Sequence, residues 1–261
     1  MKDTPLLSTP PKQKHSLLHK IDGNDLLTAI IVILIWIGLS FISPQTLYVP
    51  YNDSLSSYPY IDDDLISPII YSIIIFPGSW LFISIFYIIS KFLNFGQQDT
   101  FRKFHFWTAI WIHLISVVLT VDVIAFLNIF VGRVRPNFYA RCGKITDPNE
   151  CDVLSKYQFD NERKSFPASD PGAIMASMLF LTLLLQKMCL RRPSWVSCLS
   201  MIFVAFAFIA GSTCIREYKN HADDVVAGFA IGAIICSTLF YGSHKRIFRH
   251  LKEEPSDVSS G

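Results

Sequence analysis

Charge is scarce in this chain. Of its 261 residues, 17% are Asp, Glu, Lys or Arg, whereas 51% are hydrophobic and 14% aromatic. Mean hydropathy is +0.37. A water-soluble domain of this length carries more charge, so the composition excludes an ordinary soluble globule and points to an integral membrane protein. The net charge is only +2, which gives no ground for nucleic-acid binding. Cysteine is limited to six residues, and no His/Cys spacing matches a zinc site, so no metal is expected. There is no internal repeat. The opening MKDTPLLSTPPKQKHS is polar and proline-containing and lacks the apolar core of a cleavable leader. Residues 1–22 read as a disordered cytosolic tail.

What the chain has in abundance is long apolar runs. Six occur, near residues 26–42, 66–89, 106–131, 173–189, 196–214 and 225–241. Each approaches the length needed to cross a hydrocarbon core of about 30 Å as a helix. Lipid offers no partner to an open backbone, so helices are the structure expected. The predicted fold is all-α: a polytopic six-transmembrane-helix bundle over residues 23–243, with a cytosolic C-terminal tail over 244–261. The even-numbered loops and both tails carry 14 Lys and Arg, the odd-numbered loops 9. The positive-inside bias therefore predicts cytosolic termini and lumenal or extracellular first, third and fifth loops. The sequon Asn52-Asp53-Ser54 falls in the first of these, making Asn52 a candidate glycosylation site. Cys142 and Cys151 share the third loop, on the oxidising side, and are a candidate disulfide.

The remaining charge concentrates in three places. The third loop opens with GRVRPNFYARCGK, which sets Arg133, Arg135, Arg141 and Lys144 at a membrane surface, where Arg forks suit phosphate oxygens. A generic basic loop touching lipid headgroups fits the same spacing. The loop closes with RKSFPASDPG, a helix start with Ser169 or Asp170 as the N-cap and Pro171 as first helical residue. A helix start can bind phosphate, but a capping Asp would occupy the same amides. The fifth loop, GSTCIREYKNHADDVVAG, places Arg216, Lys219, His221, Asp223 and Asp224 between two apolar runs. A His–carboxylate pair can serve acid–base or nucleophilic chemistry; two acids before a helix also favour its positive end. Asp122 lies inside the third apolar run, where an ionisable residue is a functional candidate. Gly228-x-x-x-Gly232 permits close helix packing.

The order GRVRPNFYARC, KSFPASD, REYKNHADDV resembles the integral-membrane lipid phosphate phosphatases of the type 2 phosphatidic acid phosphatase and haloperoxidase superfamily. The resemblance covers about Pro59 to Tyr241. It implies a metal-independent, cofactor-free hydrolysis of lipid phosphomonoesters in phospholipid metabolism. In that family a Lys, two Arg and a Ser-Gly backbone hold phosphate. One His attacks phosphorus, an Asp orients it, and a second His protonates the leaving alkoxide. Placed on this chain, the motifs retain Arg135, Pro136, Ser169 and Asp224. The Lys slot holds Asn128, the general-acid slot Asp170, the second Arg slot Cys214 and the nucleophile slot Asn220.

An amide has no usable nucleophilic lone pair, so the covalent route is closed at Asn220. Losing a Lys and an Arg removes cations that stabilise transition-state charge. The first reading is therefore an inactive family member that binds membrane lipids, including lipid phosphates, or a protein partner or a second copy of itself. A second keeps activity: His221, beside the nucleophile slot, substitutes for it, helped by Arg216, Arg135 and a protonated Asp170 as the acid. Arg216 to His221 and His221 to Asp224 are each one residue short of the family spacing, a rotation of about 100° on a helix. A third reading is a small membrane transporter built on Asp122 and Asn128. The expected home is the endoplasmic reticulum, another endomembrane or the plasma membrane.

Overall fold

The structure is a computed structural model that describes residues 23–50, 53–62, 64–92, 103–143, 151, 153–189 and 194–248. Asn52, Lys144, residues 1–22 and residues 249–261 lie outside the described residues. Among the described residues the elements are helices joined by loops: α1 (Gly23–Ser40), α2 (Pro68–Ile73), α3 (Ser79–Phe92), α4 (Phe106–Val131), α5 (Phe138–Cys142), α6 (Lys156–Glu162), α7 (Ser169–Met188), α8 (Ser194–Arg216) and α9 (Ala222–Ile247). A π turn, Ile74–Gly78, joins α2 to α3 into one span, so six helical stretches are long and apolar enough to cross a membrane. The chain is an all-α, multi-pass membrane protein. The last span continues to Ile247, past the boundary at residue 243 expected from hydropathy.

The bundle is built around α7. In its most apolar window 83% of residues are buried, against 17% for α1. It packs on α9, α8, α4 and α3. Lipid tails are as apolar as leucine, so helix pairing in a bilayer depends on close van der Waals fit rather than on escape from water. Glycine supplies that fit here. A Cβ on Gly232 would strike Gly172 O, and one on Gly228 would strike Ala168 O. The α7–α9 backbones therefore touch along two successive turns, with no side chain between them. In contrast, α1 is peripheral and lies on α4. Its two ends are tied down. Arg246 Nη2 donates to Asp25 Oδ2 at 2.5 Å near one end, and Gln45 N donates to Ile129 O at 2.8 Å just past the other. Gly132, at φ +63°, ends α4 there, and a Cβ on it would collide with the Gln45 backbone.

The interrupted second span is explained by Pro77, which has no N–H to continue the helix and so frees carbonyls near it. Side chains from three helices collect there. Trp80 Nε1–H donates to His113 Nδ1 at 3.3 Å, which makes Nδ1 the acceptor. His113 Nε2 then carries the proton and faces Ser177 Oγ at 3.0 Å. Ser177 in turn donates to Ile75 O at 3.2 Å and lies 2.7 Å from Ser79 Oγ. A polar chain thus runs through the apolar core and satisfies the backbone that the kink exposes.

Replacing Gly232 by Ala should push α9 off α7 and cost about 1–3 kcal/mol by overpacking. Gly242→Ala, on the same helix with nothing within 4 Å, should be neutral or slightly stabilising through helix propensity. Thermal melting of the two variants in one detergent checks the difference.

Candidate functional site

The three charged segments meet at one end of the bundle. Their organiser is Asp224, in the first turn of α9 and 0% exposed. Its Oδ1 accepts from Arg133 Nη1 at 2.6 Å. Its Oδ2 accepts from Ser165 Oγ at 2.5 Å, from the His221 backbone N–H at 2.9 Å and from the His221 ring at Nδ1, 3.0 Å. Arg133 also reaches Asp223 Oδ2 at 2.5 Å. The backbone repeats the join: Ser165 N–H donates to Arg133 O at 3.0 Å, and Ala168 N–H to Asp224 O at 3.0 Å. Asn220 Nδ2 closes the set by donating to Ser165 O at 2.7 Å. A buried carboxylate needs this many donors, because an unpaired charge away from water costs several kcal/mol.

The fifth loop is shorter than its sequence suggests. The eighth helix runs on through Arg216, so only residues 217–221 form the connection. Tyr218 holds φ at +53° and stacks on Tyr58 at 4.8 Å between ring centroids. Lys219 and Asn220 turn their N–H groups back to Cys214 O, at 3.0 and 3.2 Å. This turn brings Asn220 against Ser165 and leaves Arg216, at the end of α8, on the exposed surface. Lys219 is taken by two acids, Asp64 at 2.7 Å and Glu217 at 2.8 Å. Burial alone would push the Lys219 ammonium down, but the hydrogen bonds and charges of these two carboxylates outweigh it and hold its pKa above the ordinary value. It stays charged and committed to them.

The expectation that Ser169 or Asp170 caps α7 is overturned. The N-cap is Ala168, in extended conformation at φ −74° and ψ 121°, and the helix begins at Ser169. Pro171 falls two residues further in, still within the first turn, where its missing N–H costs no intrahelical bond. The Asp170 carboxylate makes no hydrogen bond or ion pair among the described residues, so it does not occupy the amides at this helix start. It lies within electrostatic reach of Arg135 and Lys219 on one side and of Asp64 and Glu217 on the other.

Beside this cluster opens a cavity of about 160 Å³. Arg135, Asn161, Lys164 and Ser169 line its motif end, Asn128 its middle, and Val121 and Ala125 of α4 with Trp36 and Leu39 of α1 its deeper wall. Arg135 gives its Nε–H to Asn161 O at 3.2 Å and makes no ion pair among the described residues. The Lys164 ammonium makes neither a hydrogen bond nor an ion pair among the described residues. These two cations contrast with Arg133 and Lys219, paired as above, and with Arg141, 2.5 Å from the buried Glu162. Asn128 Oδ1 is buried without a partner, as are both carboxylate oxygens of Asp122. The arrangement offers an anion two unpaired cations, a hydroxyl and an amide.

Among the described residues no cluster of His, Cys, Asp and Glu fits a metal ion. Cys142 and Cys151 are disulfide-bonded. Cys214 is buried, with Tyr71 Oη 3.9 Å from its sulfur.

A family model described as PAP2 superfamily matches residues 109–248, which contain all three segments and five of these helices. The chain belongs to the PAP2 superfamily. Phospholipid phosphatase 2 of Homo sapiens is 30% identical over 122 residues, 41% of each chain. The probable diacylglycerol pyrophosphate phosphatase 1 of Schizosaccharomyces pombe is 24% identical over 246 residues, 87% of this chain and 83% of that one. Phospholipid phosphatase-related protein type 1 of Danio rerio is 28% identical over 106 residues, 36% and 31% of the two chains. The chain thus spans about two-fifths of the length of the phospholipid phosphatases 2 that it matches. No solved structure matches it significantly.

Within this PAP2 domain the slots divide. Asn128, Arg135 and Ser169 line the cavity. Asn220, His221 and Asp224 are tied into the cluster beside it. Cys214, Asp170 and Arg216 line no part of the cavity. His221 faces acceptors at both ring nitrogens, Asp224 Oδ2 at 3.0 Å and Leu55 O at 3.2 Å. Sequence reasoning missed Ser165 and Glu162 as anchors; each adjoins a basic residue in RKSFP and NERK, which was the available signal.

Arg133→Ala should strand the buried Asp224 charge and lower stability on the order of 3 kcal/mol. Combining it with Asp224→Asn should cost clearly less than the sum of the single changes, because both remove one interaction. A double-mutant cycle of detergent melts reads the coupling.

Proposed function

We propose that this PAP2 superfamily protein binds lipid phosphates in the membrane without hydrolysing them. The observation that carries the reading is the contrast between its two halves. Two of the phosphate-holding positions, Arg135 and Ser169, line one cavity with Lys164, and among the described residues no carboxylate is paired to either cation. The covalent-chemistry positions are occupied and tied: Asn220 hydrogen-bonds the Ser165 carbonyl, and Asp224 is saturated by Arg133, Ser165 and His221. An amide at the nucleophile slot cannot form the phosphoenzyme. The relatives named as phospholipid and diacylglycerol pyrophosphate phosphatases make a lipid phosphate the ligand class to expect.

The rival reading, hydrolysis through His221, asks a ring nitrogen to present a lone pair to phosphorus. Here Nδ1 and Nε2 both face acceptors, and the ring lines no part of the cavity. We place the motif end on the lumenal or extracellular side and both termini in the cytosol. The Lys and Arg bias and the Cys142–Cys151 bond, of a kind that persists in oxidising compartments, support this.

Purified protein should release no phosphate from phosphatidate or lysophosphatidate without metal, and should melt higher with either lipid. At a ligand concentration of 100 Kd the expected gain is about 2.7 kcal/mol. Arg135→Ala should abolish the shift and leave the unliganded melting temperature near its original value. Phosphate release that disappears in His221→Ala would replace this reading with the hydrolytic one.

A further inference from the structure

The end of the bundle opposite the motif cluster is charged differently. There α3, α7 and α9 end and α4 begins. Among the described residues this end carries Lys91, Lys103, Lys187, Lys245 and Arg246 and one acid, Asp25. Arg246 takes that acid at 2.5 Å. The ammonium groups of the four lysines make no hydrogen bond or ion pair among the described residues. At the motif end, by contrast, Arg133, Arg141 and Lys219 are matched by carboxylates. Cations without an internal counterion raise the local potential and draw an anion from outside.

Two of the four lysines meet across the central helix pair. Lys187 is in the last turn of α7, and its ammonium lies 5.4 Å from the centre of the Tyr241 ring on α9. The ring quadrupole attracts a cation over its face, so Lys187 is positioned rather than free to swing. Lys245 follows Tyr241 by one helical turn and projects from the same face of α9. The Tyr241 side of α9 is open: Tyr241 is 55% exposed, and its hydroxyl makes no hydrogen bond among the described residues. A Cβ on Gly242 would meet no atom within 4 Å. One and two turns back along the same stripe, Thr238 and Ile234 are exposed as well. They belong to a membrane span, so their surface faces hydrocarbon, while the lysines at the helix ends lie at headgroup depth. Lysine stems and tyrosine rings suit that level, being apolar along the body and polar at the tip.

We propose that Lys187, Tyr241 and Lys245 form a second lipid site, in the leaflet opposite the motif end, which holds the headgroup of a phospholipid of net negative charge while an acyl chain lies along Thr238 and Ile234. By helical rise, Lys245 is about 30 Å along α9 from Asp224. The site shares no residue with the motif-end cavity and does not depend on what that cavity binds. On the topology proposed above its leaflet is the cytosolic one, where anionic phospholipids are enriched. A lipid seated there bridges the ends of α7 and α9, the pair whose glycine contact centres the bundle.

The test titrates the full chain in detergent with phosphatidylserine and with phosphatidylcholine, and counts bound lipid by native mass spectrometry. One phosphatidylserine should bind on the order of tenfold more tightly than phosphatidylcholine, and Lys187→Gln and Lys245→Gln should each weaken it by about fivefold. Replacing both lysines by Arg should preserve it. Gly242→Trp keeps both lysines and fills the open side, and should weaken binding by a similar factor; it stands in if the Gln variants do not fold. Lys91→Gln combined with Lys103→Gln removes the same charge from the same end, and should change the affinity by less than about twofold. Excess glycerol 3-phosphate, which has no chain, should leave phosphatidylserine bound. Equal loss in the Lys91 and Lys103 variant would overturn the site, by reducing it to diffuse attraction. Undiminished binding when Lys187 and Lys245 are both Gln, or no preference over phosphatidylcholine in the unmodified protein, would overturn it too. So would displacement by glycerol 3-phosphate, which would move the bound lipid to the motif-end cavity.

Discussion

Asp224 is the constraint on which the motif end depends. A carboxylate with no exposed surface must be matched by donors from wherever the chain can supply them. Here they come from all three charged segments: Arg133 from the first, Ser165 from the second and His221 from the third. Satisfying one anion therefore fixes the relative positions of three loops far apart in sequence. The same requirement decides what is left over. With Arg133 committed to Asp224, Arg141 to Glu162 and Lys219 to Asp64 and Glu217, the cations that line the cavity without a carboxylate partner among the described residues are Arg135 and Lys164.

The fold that presents these loops rests on a different force. Two glycines in α9 and one in α7 allow backbone contact between the central helices, and α7 is enclosed as a result. Rigidity is concentrated there and in the Asp224 cluster. The periphery is looser, since α1 touches chiefly α4 and is pinned near its ends. The cavity lies where the two regimes meet, with one wall fixed by α4 and the other formed by a helix that packs lightly.

Much of this was legible in the residues. The six apolar runs marked the six spans, because a bilayer imposes a minimum length that few other environments demand. Their ends were less well marked. The start of α7 came four residues before the apolar run at Ala173, and Asp170 did not cap it. Polar residues can belong to a helix when neighbouring loops rather than their own side chains satisfy the helix start, as Asp224 O does for the Ala168 amide. The kink at Pro77 and the polar chain through His113, Ser177 and Ser79 were not anticipated either. Their partners sit on three helices, and no local pattern links them.

The sequence by itself determined membership of the PAP2 superfamily, the helical membrane class and the identity of each residue at the family's slots. These follow from covalent composition: an amide at position 220 is not a nucleophile in any packing. Only the tertiary structure decided that His221 turns into Asp224, that Arg216 points outward, and that Arg135 and Lys164 share a cavity with Ser169. Charge pairing is a competition among groups brought together by folding. Its winners depend on distances between segments some 30 to 90 residues apart, which spacing along the chain does not record.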